Sequence, residues 1–195
     1  MSLRLNNPAS VISGTPGDYS ADERALLLRA AHLAIERALR GEELDIAAPS
    51  PHLAELRAVF TTLHLQGELR GCVGYAFPVY PLYRTVLETA VAAAYGDSRF
   101  WPVTEIEVPE LRIEISVLSP LMEIAPEQVE VGKHGLIITQ GQRRGLLLPQ
   151  VPVEHGWDVE RFLYESCVKA GLPSDAWKSD AKLEAFTAEV FGEDI

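Results

Sequence analysis

Three segments of the chain carry apolar residues at the spacing of an amphipathic helix. The first opens with Ser20 and Glu23, which have the spacing of a capping box. A glycine follows each segment, as expected where a helix ends. The predicted helices span residues 20–40, 82–95 and 158–170.

Other segments have the patterns of β-strands. Residues 111–118 place leucine, isoleucine and valine at every second position, as in a half-buried antiparallel strand. Two pairs of short strands flank glycine-containing turns and are predicted to form hairpins: 58–65 with 69–75, and 136–139 with 146–148. A last strand-like segment covers residues 182–191. Three helices without a regular alternation of strand and helix predict an α+β fold with an antiparallel sheet.

Length and composition fit one ordinary globular domain. The chain has 195 residues, of which 47% are hydrophobic and 23% charged. We expect residues 1–18 to form a flexible polar arm and residues 19–195 a single domain. Two cysteines are too few for a disulfide scaffold and suit a reducing compartment. Because no signal-peptide pattern and no apolar run of about 20 residues occurs, the sequence predicts a cytoplasmic protein that does not enter the membrane.

The formal net charge of −11 disfavours broad electrostatic binding of nucleic acid. Acidic residues are unevenly distributed, because residues 69–87 and 131–153 contain neither Asp nor Glu. If these windows meet in the fold, they form a positive surface for an anionic small molecule or an acidic segment of a partner. The alternative is that both are core strands, where carboxylates are costly to bury. The cations concerned are Arg70, Arg84, Lys133, Arg143 and Arg144.

The segment 69–74 carries the strongest candidate chemistry. In an extended strand Arg70 and Cys72 project from the same face, and a guanidinium beside a thiol favours a reactive thiolate. Gly71 and Gly74 leave room for a ligand or for neighbouring backbone. The alternative is that Cys72 is a small buried hydrophobic residue and that the glycines mark a bulge.

A second group of polar residues lies on predicted turns. Lys133 and His134 stand between glycines just before an apolar run, where they could supply a cation and a general base. Arg143 and Arg144 could bind an anion together. Each pair is equally typical of a solvated turn.

The remaining cysteine and histidines indicate no further site. Cys167 lies on the apolar face of the third predicted helix, which favours core packing. The five histidines are scattered, and no spacing typical of a metal ligand set occurs. We therefore expect neither a metal ion nor a cofactor.

Six motifs together resemble the AMMECR domain family over about residues 22–191. They are LRGCVG (69–74), DSRF (97–100), VLSP (117–120), VGKHGLII (131–138), RRGLLLPQV (143–151) and CVKAGLP (167–173). The resemblance implies two unequal α+β lobes around an antiparallel sheet, with the LRGCVG strand lining the groove between them. It also implies a pathway shared with Memo-like and radical S-adenosylmethionine proteins. The radical chemistry would belong to the partner, because this chain lacks the clustered cysteines of an iron–sulfur centre.

These observations leave three functions open. The favoured one is an accessory or presenting subunit that binds an anionic small molecule or an acidic segment of a partner. The second is an enzyme in which Cys72 acts as thiolate and His134 as base. The third is nucleic-acid recognition, with Phe100, Trp101 or Trp157 as stacking surfaces. The ligand-binding residues expected for the first function are Arg70, Gly71, Gly74, Lys133, Arg143 and Arg144.

Overall fold

The structure, a computed structural model, describes residues 18–194. All but the last residue of the predicted N-terminal arm, residues 1–18, lie outside the described residues. The three predicted helices are present, and a short additional helix precedes the last of them. No helix in the described part of the chain is both long and apolar enough to cross a membrane. In chain order the helices are α1 (Ala21–Leu39), α2 (Leu82–Tyr95), α3 (Gln150–Glu154) and α4 (Val159–Lys169).

The two best-defined helix starts follow from local sequence. Ser20 Oγ accepts a hydrogen bond from the Glu23 amide, and the Glu23 carboxylate accepts one from the Ser20 amide. The predicted capping box of α1 is therefore confirmed. At α4, the Asp158 side chain accepts a hydrogen bond from the Arg161 amide, as expected of an N-cap aspartate.

The described strands form two four-stranded antiparallel sheets. In chain order they are β1 (Ala58–Leu65), β2 (Glu68–Tyr75), β3 (Leu111–Leu118), β4 (Met122–Glu123), β5 (Gly135–Gln140), β6 (Arg143–Leu147), β7 (Lys182–Phe186) and β8 (Ala188–Gly192). The first sheet has the order β2-β1-β3-β8 and the second the order β4-β7-β5-β6. Both predicted hairpins are formed, by β1 with β2 and by β5 with β6. The α+β class with antiparallel strands is confirmed.

The segment 182–191, expected to be one strand, is two strands that belong to different sheets. β7 lies in the second sheet, β8 is an edge of the first, and Thr187 lies between them. The Ser119 amide donates to the Thr187 carbonyl (2.9 Å), and the Thr187 amide donates to Ser119 Oγ (3.0 Å). These two hydrogen bonds hold the crossover between the sheets. The strand-like sequence continues through it, so the local pattern contains no sign of the break.

Each sheet has its own hydrophobic core, and the two cores define two lobes. In the first lobe, α1 and α2 cover one face of the first sheet. In the second lobe, α4 packs on one face of the second sheet. A smaller apolar cluster joins the opposite faces of the two sheets, and it contains Ala58, Phe60, Phe77, Leu118, Ile137, Leu146 and Phe186. We call the surface bordered by these seven residues, between the two sheets, the inter-sheet groove.

Candidate functional site

Strand β2 carries the LRGCVG motif at one edge of the first sheet. A β-bulge interrupts its pairing with β1 at Arg70, since the residues on either side of Arg70 pair with two consecutive residues of β1. The simple alternation that would place Arg70 and Cys72 on one face is therefore broken. Arg70 instead contacts the loop between α2 and β3, residues 96–110.

The Arg70 guanidinium is engaged within the protein. Nε and Nη2 donate to the two carboxylate oxygens of Glu107 (2.9 and 3.2 Å). Nη1 donates to the carbonyl of Trp101 (2.8 Å), and Nη2 also donates to that of Pro102 (3.3 Å). The hydrogen bond from Arg70, ahead of those from Thr104, lowers the pKa of Glu107 to about 2. Arg70 thus ties the loop to β2.

The DSRF motif covers the free edge of β2. The Cys72 amide donates to Asp97 Oδ2 (2.9 Å), and the Cys72 carbonyl accepts from Arg99 Nη2 (3.2 Å). Arg99 also forms a bidentate pair with Asp97 (3.0 and 2.7 Å). This pairing holds the pKa of Asp97 well below its ordinary value. The two side chains therefore take the place of a neighbouring strand at Cys72.

The Cys72 thiol is half-buried on the face of the first sheet opposite to α1 and α2. Thr62 lies directly across from Cys72 on β1, and its hydroxyl donates a hydrogen bond to Cys72 Sγ (3.4 Å). The guanidinium that contacts Cys72 is that of Arg99, whose Nη2 donates to the Cys72 carbonyl (3.2 Å). The cation next to Cys72 is thus Arg99 and not Arg70, because the bulge turns Arg70 towards the loop.

Gly71 and Gly74 lie against protein atoms. A methyl group at Gly71 would overlap the Ala93 carbonyl oxygen of α2. A methyl group at Gly74 would overlap the Val59 carbonyl oxygen and the Phe60 ring. Both glycines allow close packing within the first lobe. A ligand contact at these positions stays a prediction.

Lys133 and His134 lie in the second lobe, on the turn before β5. Lys133 Nζ pairs with the Glu130 carboxylate (2.7 Å). His134 is 7% exposed, and its Nδ1 accepts a hydrogen bond from the Glu130 amide (3.1 Å). Burial, with a smaller contribution from Lys133, lowers the pKa of His134 and favours the neutral imidazole. Within the described residues, neither side chain hydrogen bonds to Cys72.

Arg143 and Arg144 lie on opposite faces of β6, because adjacent residues of a strand alternate. Arg143 Nη1 donates to the Gly171 carbonyl (2.8 Å) just after α4. Arg144 reaches towards the first lobe, where its guanidinium carbon lies 4.7 Å from the ring centroid of Phe77. Its Nε donates to Thr139 Oγ1 (3.1 Å). The structure therefore brings Arg144 to the inter-sheet groove and Arg143 to the other side of the second sheet.

Several residues that the fold brings to these positions were not predicted from the sequence. Asp97 and Arg99 belong to the DSRF motif, but the motif alone indicated no role for them. No local sequence pattern indicated a role for Thr62 or for the ion pair Lys182–Glu184 of β7 (2.7 Å), because their positions depend on strand pairing. The hydrogen bond to Glu184 raises the pKa of Lys182. Glu184 lies opposite Ile137 of the joining cluster, so this ion pair borders the inter-sheet groove.

An apolar cavity of about 250 Å³ lies between the start of β1 and the end of β3, beside the VLSP motif and the apolar cluster that joins the two sheets. It is lined mainly by Leu56, Ala58, Ala76, Pro78, Leu118 and Leu121. Within residues 18–194, no three His, Cys, Asp or Glu side chains are grouped so as to hold a metal ion.

Comparisons with known proteins give one consistent result. The family profile AMMECR1 matches residues 28–191. Protein MK0488 of Methanopyrus kandleri is 44% identical over 185 residues, which cover 89% of each chain. A protein of Aquifex aeolicus is 42% identical over 177 residues, which cover 86% of this chain and 91% of the relative. The crystal structure of the uncharacterised protein PH0010 from Pyrococcus horikoshii has a TM-score of 0.72 at 45% identity, and the match covers 87% of this chain and 90% of that one.

Proposed function

This chain belongs to the AMMECR1 family, and from that premise we propose that it is an accessory subunit that binds an acidic segment of a partner protein in the inter-sheet groove. The names of its relatives state no activity, so the proposal rests on the groove. The partners that we propose are the Memo-like and radical S-adenosylmethionine proteins implied by the family resemblance. Radical chemistry would then take place on the partner.

The observation that carries the proposal is the position of Arg144. Of the four cations expected to bind an anion, Arg70 and Lys133 already pair with carboxylates of this chain. Arg143 donates to a backbone carbonyl on the other side of the second sheet. Arg144 lies over Phe77 and forms no ion pair within the described residues. A guanidinium held over a ring keeps its Nη groups available for bidentate binding of a carboxylate.

The charge distribution favours an acidic segment at this position over other parts of the surface. The chain carries a net charge of −11, so most of its surface repels such a segment. In the groove, Lys182 pairs with Glu184, and Glu123 of β4 lies across from Glu184, whereas Arg144 forms no ion pair with a carboxylate of the described residues. The apolar cluster beside Arg144 offers contacts for the uncharged side chains of the segment. Repulsion elsewhere therefore adds to the specificity of binding at Arg144.

The test is a binding titration with the purified Memo-like and radical S-adenosylmethionine proteins of the same organism. We expect one of them to bind with an affinity that falls with salt, and Arg144→Ala to weaken binding by about tenfold or more. Arg161→Ala is the matched control, because Arg161 is an exposed arginine of α4 that pairs with Glu165 of the same helix. Unchanged affinity of Arg144→Ala, or no binding of either protein to the wild type, would contradict the proposal.

A second candidate function, a thiol-dependent enzyme, is favoured by the surroundings of Cys72. The half-buried thiol accepts a hydrogen bond from Thr62, and Arg99 Nη2 donates to the carbonyl of the same residue (3.2 Å). A guanidinium beside a partly exposed thiol is typical of reactive cysteines. His134 bonds to the Glu130 amide instead of the thiol, so Arg99 is the better candidate for the group that activates Cys72.

Alkylation by iodoacetamide in a Cys167→Ser background tests this second candidate. An activated thiol should react in the folded protein, Arg99→Ala should slow the reaction several-fold, and Arg99→Lys should restore part of the rate because it keeps a cation. Arg161→Ala should leave the rate unchanged. If Cys72 reacts only after unfolding, or if Arg99→Ala has no effect, the enzyme candidate fails.

A further inference from the structure

Two apolar side chains of the loop between α2 and β3 are almost fully exposed, Trp101 at 89% and Ile106 at 84%. The other exposed large apolar side chains of the described residues reach at most 54%. We infer that Trp101 and Ile106 form a docking surface for a second protein, with the Trp101 indole inserted into an apolar pocket of that partner. We call these two side chains the Trp101 surface. The inference does not depend on the function proposed for the inter-sheet groove.

The loop that carries the Trp101 surface is held from the side of β2. One guanidinium, that of Arg70, donates to the Trp101 carbonyl (2.8 Å), the Pro102 carbonyl (3.3 Å) and the Glu107 carboxylate (2.9 Å). Because Glu107 directly follows Ile106, Arg70 fixes the backbone beside both exposed side chains. Arg70 therefore acts as a positioning residue for the Trp101 surface.

The same loop is held from the side of the core. Val103 and Val108 are 3% and 5% exposed, and the Val103 amide donates to the Ala94 carbonyl at the end of α2 (2.9 Å). The Glu107 carboxylate accepts from the amide and the hydroxyl of Thr104 (2.7 and 2.8 Å), which closes the turn between them. The loop is therefore ordered before any partner arrives. Binding through a preorganised loop costs little conformational entropy.

An exposed indole on an ordered loop is typical of a protein-binding anchor. Tryptophan is among the residues most enriched at the energetic centres of protein interfaces, because one rigid side chain buries a large apolar area. The loop interior is already occupied by Val103 and Val108, so it does not accommodate the indole. An apolar pocket on another protein gives the indole the burial that its own chain does not provide.

The charges around the Trp101 surface define the kind of partner. Glu105 and Glu110 on the same loop, and Glu68 two residues before Arg70, are exposed and form no ion pair within the described residues. An apolar pocket bordered by lysine or arginine would complement this acidic border. The same carboxylates, together with the net charge of −11, repel anionic lipid surfaces and nucleic-acid backbones. The structure thus favours a partner protein whose apolar pocket is bordered by basic residues.

The Trp101 surface and the inter-sheet groove lie at opposite ends of β2. Arg70 contacts the loop of Trp101 at one end, and Phe77, just after the other end, contacts Arg144. Since a strand rises about 3.3 Å per residue, these ends are separated by more than about 15 Å. A substitution in one place can therefore be tested without altering contacts in the other.

The experiment starts with site-specific photo-crosslinking in the organism that encodes the chain. A benzophenone side chain is placed at position 101 and, as a control, at position 164, where the native residue is an exposed tyrosine of α4. We expect a covalent adduct with one protein that forms from position 101 and not from position 164. Mass spectrometry of the adduct should locate the contact in an apolar pocket bordered by basic residues.

The captured protein is then purified and titrated against the full chain. We expect Trp101→Ala to weaken binding by about tenfold to a hundredfold, Tyr164→Ala to leave it unchanged, and added salt to weaken it. Trp101→Ala should not change the melting temperature, because the indole is 89% exposed. Ile106→Ala, a second exposed position, should weaken binding less than Trp101→Ala.

Several results would overturn the inference. They are the lack of a position-101 adduct, an adduct with a second copy of this chain, and unchanged affinity of Trp101→Ala. Binding to vesicles of phosphatidylcholine and phosphatidylserine that requires Trp101 would assign the surface to membranes instead. If Arg144→Ala abolishes binding of the protein captured from position 101 and Trp101→Ala does not, this inference fails while the proposal for the groove stands. If Trp101→Ala abolishes binding of that protein and Arg144→Ala does not, this inference stands, and the proposal for the groove is decided by its own titration.

Discussion

Arg70→Ala is the perturbation whose energetic consequence is best defined by the structure. It removes a bidentate ion pair with Glu107 and two hydrogen bonds to the carbonyls of Trp101 and Pro102. The side chains of Arg70 and Glu107 are 15% and 23% exposed, so solvent screens their interaction only in part. After the substitution, Glu107 keeps its hydrogen bonds from Thr104.

The magnitude follows from the pKa of Glu107, which is about 2 instead of the ordinary 4.5. At about 1.4 kcal/mol per pH unit, this difference corresponds to about 3 kcal/mol in favour of the charged form. Arg70 is the largest cause and Thr104 supplies part of the rest, so we assign about 2 kcal/mol to the Arg70–Glu107 pair. The two carbonyl hydrogen bonds face solvent and add about 1 kcal/mol. Arg70→Ala should therefore lower the free energy of unfolding by about 3 kcal/mol at neutral pH.

The contribution of the pair depends on pH in a defined direction. Because the folded-state pKa of Glu107 is lowered, the stabilisation is complete above the unfolded-state pKa of about 4.5 and is lost as the pH falls towards 2. About 1 kcal/mol of it should already be lost at about pH 3.5. Because Glu107 keeps its hydrogen bonds from Thr104 in Arg70→Ala, the variant loses part of the same stabilisation, so the difference in stability between the wild type and Arg70→Ala should shrink by less than that amount.

The assay is urea unfolding of the wild type, Arg70→Ala, Glu107→Gln and the double variant at about pH 7 and pH 3.5, analysed as a double-mutant cycle. We expect a coupling energy of about 2 kcal/mol at the higher pH and a smaller one at the lower pH. Arg161→Ala, which breaks an exposed pair on α4, should change stability by less than about 0.5 kcal/mol. A coupling energy below about 0.5 kcal/mol, or one that is equal at both pH values, would show that the Arg70–Glu107 pair does not stabilise the fold as its geometry indicates.

Three further predictions concern single residues. Gly71→Ala places a methyl group against the Ala93 carbonyl and should lower the free energy of unfolding by about 2–3 kcal/mol. This loss is measured by urea titration. An unchanged urea midpoint would argue against the close approach of β2 and α2. Burial lowers the pKa of His134, so stability should fall as the pH drops below about 6.5, and His134→Asn, which keeps an acceptor for the neighbouring amide, should remove that dependence in thermal melts. A slope that persists in the variant would assign the titration to another group. Cys167 is fully buried, and burial raises the pKa of its thiol. In a Cys72→Ser background, intact-mass analysis should therefore find Cys167 alkylated only after unfolding. Alkylation of the folded protein would show that the core of the second lobe opens.

The local elements of the fold were predictable because their signals lie close together in the sequence. Ser20 and Glu23 cap α1 three residues apart, and the β1–β2 turn is formed by two adjacent residues at positive φ, Gln66 and Gly67. The assignment of the segment 182–191 to one strand was wrong, because the break at Thr187 depends on hydrogen bonds to Ser119, which is distant in the chain. Nothing within the segment itself marks the change of sheet.

The candidate site was predictable as a segment but not as a set of contacts. The LRGCVG motif identified β2, yet the bulge at Arg70 decides which cation lies beside the thiol. That cation is Arg99, 27 residues from Cys72 in the chain. The exposed position of Trp101 likewise depends on Arg70, which holds the loop from a different strand.

The α+β class, the boundaries of the three longer helices, both hairpins and membership of the AMMECR1 family follow from the sequence alone. Each of these depends on the periodicity of apolar residues, on capping and turn residues a few positions apart, or on motifs read along the chain. Only the tertiary structure decided that Arg70 pairs with Glu107, that Arg144 faces the groove and that Trp101 remains outside the core. A charged side chain satisfies its hydrogen bonds with whichever partners the packing of the core brings within about 3 Å, and those partners are not recorded in local sequence.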